Sequence, residues 1–289
     1  MTPDLAQQLW RYLEPLHAMI YFAPEAEEEF TKIGLRPGRM CYFAGRSAPM
    51  GAVGPGVVAA TFYNFNPELV AKHIPRAWTL ASPEDVVAAR FRAADTALGR
   101  LLGDDVVGSA DLAEAARLVR RAAEGASGEA RPLYAGHADL EWPEVTHLVL
   151  WHAISLLREF RGDGHVTALL SAELTGLESL ITHTATGEGF VVEFAQQSRG
   201  WSPEQWSTAY AGLVERGILD EAGSLTGSGE SLRQEVETHT DRLALQPWRQ
   251  LTDEDAERLS QLGKQLARTV SKADAFPSGI FTTTTTTTR

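Results

Sequence analysis

Apolar positions recur at spacings of three and four residues over most of the chain, and this period predicts a mainly α-helical protein. The clearest example begins at residue 201. Ser202 and Pro203 supply an N-cap and a first-turn proline, and Arg216-Gly217 supplies a terminal cation followed by a C-cap glycine. Trp206, Tyr210 and Leu213 form one apolar face between these signals. The pattern predicts an amphipathic helix from Pro203 to about Arg216.

A very short two-stranded wing is predicted directly after this helix. Ile218-Leu219 and Ser224-Leu225 are the two strand segments, and residues 221–223 form the turn between them. Thr226 then opens a long helix. The shared face of that helix contains Leu232, Val236, His239 and Leu243. The order of helix, wing and helix over residues 201–248 predicts a winged helix.

The other helical segments follow from similar start and stop signals. Helices are predicted at residues 3–20, with an interruption or kink at Pro15, from Ser82 to Leu102, from Ser109 to Glu124, from Phe190 to Gln197, and from Thr252 onward. Residues 161–164 (Arg-Gly-Asp-Gly) predict a turn in which Asp163 caps a new helix. The predicted organisation is an N-terminal helical domain (1–124), a linker (125–139), a winged-helix domain (140–248), a C-terminal helix (249–275) and a disordered tail (276–289).

Five phrases of the sequence carry a resemblance to a known family. They are EPLHAMIYFAPE, YFAGRSAPMGAVG, ATFYNFNP, LLREFRGDGHVTALL and LTGSGESLRQEVETHTDRLA. On these phrases the chain resembles bacterial MarR-like winged-helix proteins, many of which have no known function. In that family a recognition helix leads through a wing to an LT..G segment and a long helix. The resemblance implies a regulator of transcription that forms a homodimer.

The composition of the chain argues against several classes of protein. The chain has 289 residues, 44% of them hydrophobic, one cysteine and a net charge of −12. This charge argues against a nucleic-acid coat or a membrane-surface protein, and a single cysteine excludes an internal disulfide. We find no apolar run long enough to span a bilayer and no secretory signal, so we expect a cytoplasmic protein.

Charge also bears on DNA binding by the winged helix. Gln205, Ser207 and Thr208 on the exposed face of the first helix could read base edges, and Arg216 could contact phosphate. However, residues 201–248 contain eight acidic and three basic side chains, for a net charge of −5. Because acidic groups repel the DNA backbone, we expect weak DNA binding or none.

Aromatic, histidine and arginine side chains cluster in both halves and predict a ligand pocket between them. The first-half candidates are His17, Tyr21, Tyr42, Arg46, Phe62, Tyr63 and Phe65. The second-half candidates are His147, Trp151, His152, Arg161 and His165. The rings suit a flat or apolar ligand, and an arginine could pair with a carboxylate. Ordinary core packing is an alternative interpretation of the same residues.

No sequence motif identifies a reaction or a cofactor. The histidines lack the i,i+4 spacing of a helical metal site, and we find no nucleophile elbow, P-loop or dinucleotide-binding signature. The first interpretation is therefore a regulator-like protein that binds a small apolar or aromatic molecule. The alternatives are an enzyme using His, Tyr and Arg in the same pocket, and a protein that sequesters a ligand to confer resistance.

Overall fold

Helices form nearly all the regular structure between residues 2 and 282, which are the residues that this computed structural model describes. The helices before the midpoint of the chain are α1 (Pro3–Ala18), α2 (Pro24–Lys32), α3 (Arg39–Ser47), α4 (Pro55–Phe62), α5 (Pro67–Ala71), α6 (Pro83–Leu102), α7 (Asp104–Val107), α8 (Ala110–Ala123) and α9 (Pro132–Ala138). Those after it are α10 (Thr146–Ser171), α11 (Gly176–Thr184), α12 (Val192–Arg199), α13 (Pro203–Glu215), α14 (Gly227–Ala244) and α15 (Asp253–Lys272). The predicted mainly α fold is confirmed.

Many of these helices begin at a side chain that caps their free amides. A hydroxyl before the first residue accepts a hydrogen bond from a first-turn amide, which replaces a bond that the helix itself cannot supply. The hydroxyls belong to Thr2, Ser82, Ser109, Thr175, Ser202, Thr226 and Thr252. Local sequence therefore fixes where these helices start.

Helix α10 is the central element of the structure. It packs against α1, α6, α8, α9 and α14, and buried residues occur on all of its sides. Its first part, through Phe160, belongs to a large apolar core with helices of the first half and with α15. Its last part, from Ala168, belongs to a second core with α11, α13 and α14. One helix therefore contributes to both cores. The sequence pattern had instead indicated a boundary between the two halves at the predicted linker, residues 125–139.

The turn predicted at residues 161–164 is wrong, because α10 is continuous there. Asp163 accepts hydrogen bonds from the amides of Leu133 (3.1 Å) and Tyr134 (2.9 Å), so it caps α9 rather than its own helix. A Cβ at Gly164 would lie 2.9 Å from Arg131 Nη1 and 3.2 Å from Leu243 Cβ. The glycine therefore permits close packing on both sides of α10 and does not end the helix.

Two segments predicted to lack structure are packed. The predicted linker contains α9, in which Leu133, Tyr134 and His137 are buried. In the predicted tail, Phe281 forms a bridge with Phe190, and Phe276 packs edge-on against Phe22. Buried side chains hold the first stretch and ring contacts of half-buried phenylalanines hold the second, despite their glycine and polar content. Residues 283–289, which include most of the threonine run, lie outside the described residues.

Helices α12 and α13 form the helix-turn-helix pair, joined through Gly200 in the left-handed conformation. The wing is reduced to one antiparallel bridge between Leu219 and Leu225. A Cβ at Gly229 would lie only 2.1 Å from the carbonyl oxygen of Ile218, so glycine allows α14 to start directly against the wing. The predicted boundaries of α13, the wing and α14 are confirmed, and α12 begins two residues later than predicted.

Candidate functional site

A cavity of about 520 Å³ lies among the turn that follows α1 (residues 19–23) and helices α2, α3 and α6, within the first half of the chain. This volume is within the range of small-molecule sites, about 300–1,000 Å³. Its rings come from Tyr21, Phe22, Phe30 and Tyr42. Its charged lining residues are Glu27, Arg39, Arg46 and Arg90. The cavity is therefore aromatic and predominantly cationic, in a protein whose net charge is −12.

His17 connects the cavity wall to α10. Its Nε2 lies 3.0 Å from the Tyr21 hydroxyl, and its Nδ1 lies 2.9 Å from Ser155 Oγ. Because Ser155 donates its own proton to the carbonyl of Trp151, its oxygen accepts from His17 Nδ1–H, and Tyr21 donates to Nε2. The His17 ring also stacks on Trp151, with centroids 5.5 Å apart.

Burial, followed by the charge of Arg158, holds the pKa of His17 well below its usual range. The imidazole is therefore neutral near pH 7. It serves there as a positioned acceptor for Tyr21, and it is a poor proton carrier at that pH.

An ion cluster lies beside the cavity. Both oxygens of the Glu159 carboxylate accept from Arg46, at 3.1 and 2.8 Å, and one also accepts from Arg158 at 2.9 Å. Burial alone would raise the pKa of Glu159, but the two guanidinium groups hold it well below its usual range. Arg158 also approaches Glu14 at 3.4 Å. Arg46 is thereby fixed with its guanidinium 4.5 Å from the centre of the Phe62 ring.

Arg90 lines the cavity from α6 and is only 4% exposed. Its Nη1 donates to His137 Nε2 at 2.8 Å, and its guanidinium lies 4.8 Å from the centre of the Trp151 ring. His137 donates from Nδ1 to the carbonyl of Leu133, so it is neutral and accepts from Arg90. Burial and the charge of Arg90 lower the pKa of His137 to about 3.

A short aromatic segment, residues 62–66, links the cavity to the helix-turn-helix unit. The Tyr42 ring packs 5.4 Å from that of Phe65. Asn66 donates from its amide to the Arg199 carbonyl (2.9 Å) and from its side chain to the Gly200 carbonyl (3.0 Å). Trp201 Nε1 donates to the Asn64 carbonyl at 2.9 Å. The turn between α12 and α13 is thus held by residues adjacent to the cavity wall.

The structure brings together only part of the predicted pocket. His17, Tyr21, Tyr42, Arg46, Phe62, Phe65 and Trp151 form one connected group of contacts around the cavity. Tyr63 turns away from it, and its hydroxyl donates to the Leu174 carbonyl at 2.6 Å in the helix-turn-helix half.

The remaining second-half candidates lie elsewhere. His147 contacts Asp95, and His152 packs edge-on against Trp142 with ring centres 4.8 Å apart. Arg161 and His165 face α14, where they contact Asp241 and Thr240. The 520 Å³ cavity is consequently lined by first-half residues and is not shared between the halves.

The four candidate DNA-contacting residues are placed on or beside α13. Ser207 and Thr208 are exposed. Gln205 Oε1 accepts from the Ser202 amide (3.0 Å) and from Asn66 Nδ2 (3.1 Å), so that oxygen is engaged within the protein. Arg216 pairs with Glu178 at 2.9 Å.

Three of the strongly interacting groups at the site, Arg90, Arg158 and Glu159, were not among the predicted residues. Arg90, Glu159 and Arg158 are isolated charges in helical patterns, and such residues ordinarily face solvent. One signal was available: Glu159 lies two positions after Leu157 and directly before Phe160, on a helix that is apolar on several sides. A carboxylate in that setting requires a buried cationic partner.

Within residues 2–282, no group of three or more His, Cys, Asp or Glu side chains is arranged to hold a metal ion. No helix in that part of the chain has both the length and the apolar content needed to cross a membrane.

Comparison with known families gives one match. A model described as a helix-turn-helix family matches residues 6–277, which is most of the chain. Comparison with curated proteins and with solved structures gives no match. The chain therefore belongs to this helix-turn-helix family, which indicates a regulator-like protein.

Proposed function

With membership of a helix-turn-helix family as the premise, we propose that this protein is a ligand-responsive regulator whose first-half cavity binds a small, largely aromatic molecule. The observation that carries this proposal is the direct connection between cavity and helix-turn-helix unit. Tyr42 lines the cavity and packs on Phe65, and the next residue, Asn66, bonds to the turn at Gly200. The likeness to MarR-like regulators in particular is part of the same proposal.

A ligand in the cavity acts through this connection. Contact with the Tyr42 ring is transmitted to Phe65, which also packs under the guanidinium of Arg199 at the end of α12 (4.6 Å). A ligand that favours one arrangement of these rings favours the corresponding position of α13. Such coupling is reciprocal, and its usual size is about 1–3 kcal/mol.

We further propose that the helix-turn-helix unit binds DNA weakly or not at all. The support is electrostatic: Glu204 and Glu215 on α13 and Asp220 and Glu221 in the wing are exposed, and Arg216 is paired with Glu178. Few cations remain on this face to neutralise phosphates. A homodimer stays a prediction, which light scattering coupled to gel filtration tests.

The test of the cavity is native mass spectrometry of protein purified from its own host. We expect a co-purifying small molecule in the native chain. Ala26→Phe places a ring in the cavity, because Ala26 is one of its lining residues, and should abolish the added mass. Ala88→Phe, at an exposed position of α6, is the matched control and should retain it. Retention of the molecule by Ala26→Phe would show that it binds outside the cavity.

A further inference from the structure

A short segment after α15, residues 276–282, pairs with the stretch that precedes α12, the first helix of the helix-turn-helix pair. Phe281 and Phe190 form an antiparallel bridge, and the Thr282 amide donates to the Gly189 carbonyl at 2.9 Å. The rings of Phe281 and Phe190 stack, with centres 5.0 Å apart and an angle of 21° between their planes. Residues that follow α15 are therefore attached to the start of the helix-turn-helix unit.

The same segment supplies a hydrogen bond that α12 does not provide for itself. The helices before and after it, α11 and α13, each begin with a capping box, in which the amide of the N-cap residue (Thr175 or Ser202) donates to a side chain of its own first turn. The N-cap residue of α12 is Val191, whose side chain cannot accept a hydrogen bond. The Val191 amide donates to the Ile280 carbonyl at 3.1 Å. The start of α12 thus depends on a segment that is distant in sequence.

The segment also contacts the first half of the chain, through Phe22. The Phe22 ring packs edge-on against Phe276, with centres 5.7 Å apart, and against Phe281, with centres 6.0 Å apart. Phe22 follows the turn after α1 and lines the cavity. The Phe281 ring therefore contacts both the cavity wall, at Phe22, and the start of α12, at Phe190.

Phe190 in turn contacts both ends of α12. Its ring centre lies 5.0 Å from that of Phe194 in the first turn, and the guanidinium of Arg199 in the last turn lies 5.2 Å from it. The same guanidinium lies 4.6 Å from the centre of the Phe65 ring. A change in the packing of Phe190 therefore affects α12 along its whole length.

Residues 276–282 are held more weakly than the helices that they join. Residues 277–279 are exposed, and Phe276, Ile280 and Phe281 are half-buried, whereas Val270 in the last turn of α15 is buried. Segments that bury little apolar surface open locally while the rest of a protein stays folded. The segment is thus able to detach without unfolding of the core.

We propose that residues 276–282 form a detachable latch that holds the start of α12 to the cavity wall. In the closed state Phe281 packs on both Phe22 and Phe190, and in the open state both contacts are lost together. The latch is a regulatory device, because it sets how freely the first helix of the helix-turn-helix pair moves relative to the first half of the chain. It operates whether or not the cavity holds a ligand.

Hydrogen exchange of the full-length chain, measured by mass spectrometry near neutral pH, tests the latch with Phe281→Ala. Loss of this ring should accelerate exchange about 10-fold in two separate stretches, residues 190–196 and residues 19–23, because each loses a ring contact. Exchange in the first part of α10, which belongs to the main core, should not change. Ser278→Ala, at an exposed position of the same segment, is the matched control and should leave exchange as in the native chain.

A second substitution distinguishes loss of the latch from a general loss of packing. Val191→Ser gives α12 an N-cap hydroxyl of its own, which replaces the support that the segment supplies. Added to Phe281→Ala, it should restore most of the slow exchange in residues 192–196. Residues 19–23 should still exchange faster than in the native chain, because the ring contact to Phe22 is still missing.

A disulfide provides the reverse experiment, in which the latch is locked. The bridged residues 190 and 281 are a non-hydrogen-bonded antiparallel pair, whose Cα atoms ordinarily lie about 4.5 Å apart, within the range that a disulfide spans. The double variant Phe190→Cys, Phe281→Cys should therefore form a disulfide, and the native cysteine, Cys41, is buried. Oxidised protein should exchange more slowly in residues 190–196 than the same protein after reduction.

Each remaining outcome overturns the latch. Unchanged exchange in Phe281→Ala would show that the segment does not hold α12, and faster exchange in one stretch alone would show that the two contacts do not open together. If Phe281→Ala accelerates exchange throughout the protein, the double variant decides, because its oxidised and reduced forms differ only in the cross-link. Equal exchange of these two forms would show that detachment does not control α12.

Discussion

Glu159 on α10 and Arg46 on α3 are 113 positions apart in sequence and form a two-point ion pair in which the Glu159 side chain has no solvent exposure. This pair joins the wall of the cavity to the central helix. It also fixes the position of Arg46 above Phe62, at the start of the segment that reaches the helix-turn-helix unit. The site and the core of the fold therefore depend on the same contact.

Replacement of Glu159 by glutamine should strongly destabilise the protein. The substitution keeps the side-chain shape but removes the counter-charge of Arg46 and one of the two carboxylates near Arg158, so buried positive charge loses its compensation. We expect a loss of about 3–5 kcal/mol in the free energy of unfolding, measured by urea denaturation. Glu124→Gln, which breaks the exposed pair with Arg120, should cost no more than about 1 kcal/mol. Equal losses in the two variants would contradict a special role for the buried pair.

The free energy of unfolding should decrease as the pH drops below 6.5, and protonation of His152 on unfolding should contribute to this decrease. Burial, with Arg90 and Arg120 nearby, lowers the pKa of His152 from 6.5 to about 4. The unfolded chain therefore binds a proton that the folded chain does not, and acid favours unfolding over this window. Between pH 6.5 and 5, His152 should lower the free energy of unfolding by at most about 1.4 kcal/mol per pH unit.

His152→Gln should lose less stability than the native chain over that window. Urea denaturation at pH 6.5, 5.5 and 5.0 measures the difference. Measurements at pH 8 are the control, because the linkage vanishes above the unfolded pKa. Parallel pH profiles for the two proteins would show that His152 does not titrate as described.

Removal of the Asn66 side chain should loosen the turn between α12 and α13. Asn66→Ala deletes the bonds to the Gly200 carbonyl and Gln205 Oε1, each worth about 1 kcal/mol. We expect faster amide hydrogen exchange in residues 199–206 and unchanged exchange in α15. Asn64→Ala is the control, because its backbone carbonyl still accepts from Trp201. Unchanged exchange in the turn would remove the proposed route from the cavity to α13.

Gly176 marks a close approach between the first half and α11. A Cβ at this position would lie 1.9 Å from the carbonyl oxygen of Tyr63, whereas a Cβ at Gly212 would meet no atom within 4 Å. Gly176→Ala should therefore cost about 1–3 kcal/mol, because backbone must shift. Gly212→Ala should be neutral or stabilising by up to about 1 kcal/mol, as expected for a helix interior. Thermal denaturation compares the two, and a stabilised Gly176→Ala would contradict the contact.

Because the helix-turn-helix surface is acidic, we expect DNA binding that is weak and that depends little on salt concentration. Fluorescence anisotropy with mixed-sequence duplexes at 50 and 200 mM salt should give dissociation constants above about 1 μM and a shallow salt slope. The double variant Glu215→Lys, Glu221→Lys should bind more tightly and with a steeper slope, since both positions are exposed. Nanomolar, steeply salt-dependent binding by the native chain would overturn this part of the proposal.

Most helices of the second half could be predicted from the sequence, because the residues that begin and end them lie within a few positions of each helix end. The Ser202 cap, the Arg216-Gly217 end and the Thr226 cap each act within a few residues, and the structure shows all three. The incorrect prediction of a turn at Asp163 has the opposite cause, because the partners of this residue are distant in sequence. An Asp between two glycines favours a cap locally, but its carboxylate caps α9, about 30 residues earlier in the chain.

The amino-acid sequence by itself determined the helical class, the capping of the helices and the acidic character of the winged-helix segment, because periodicity, caps and charge counts depend on neighbouring residues. Only the tertiary structure decided which charges are buried and which rings share a cavity. Arg90 and Arg92 are two positions apart on one helix, yet one is buried against Trp151 and the other is exposed. That difference follows from which distant helices cover each side of α6.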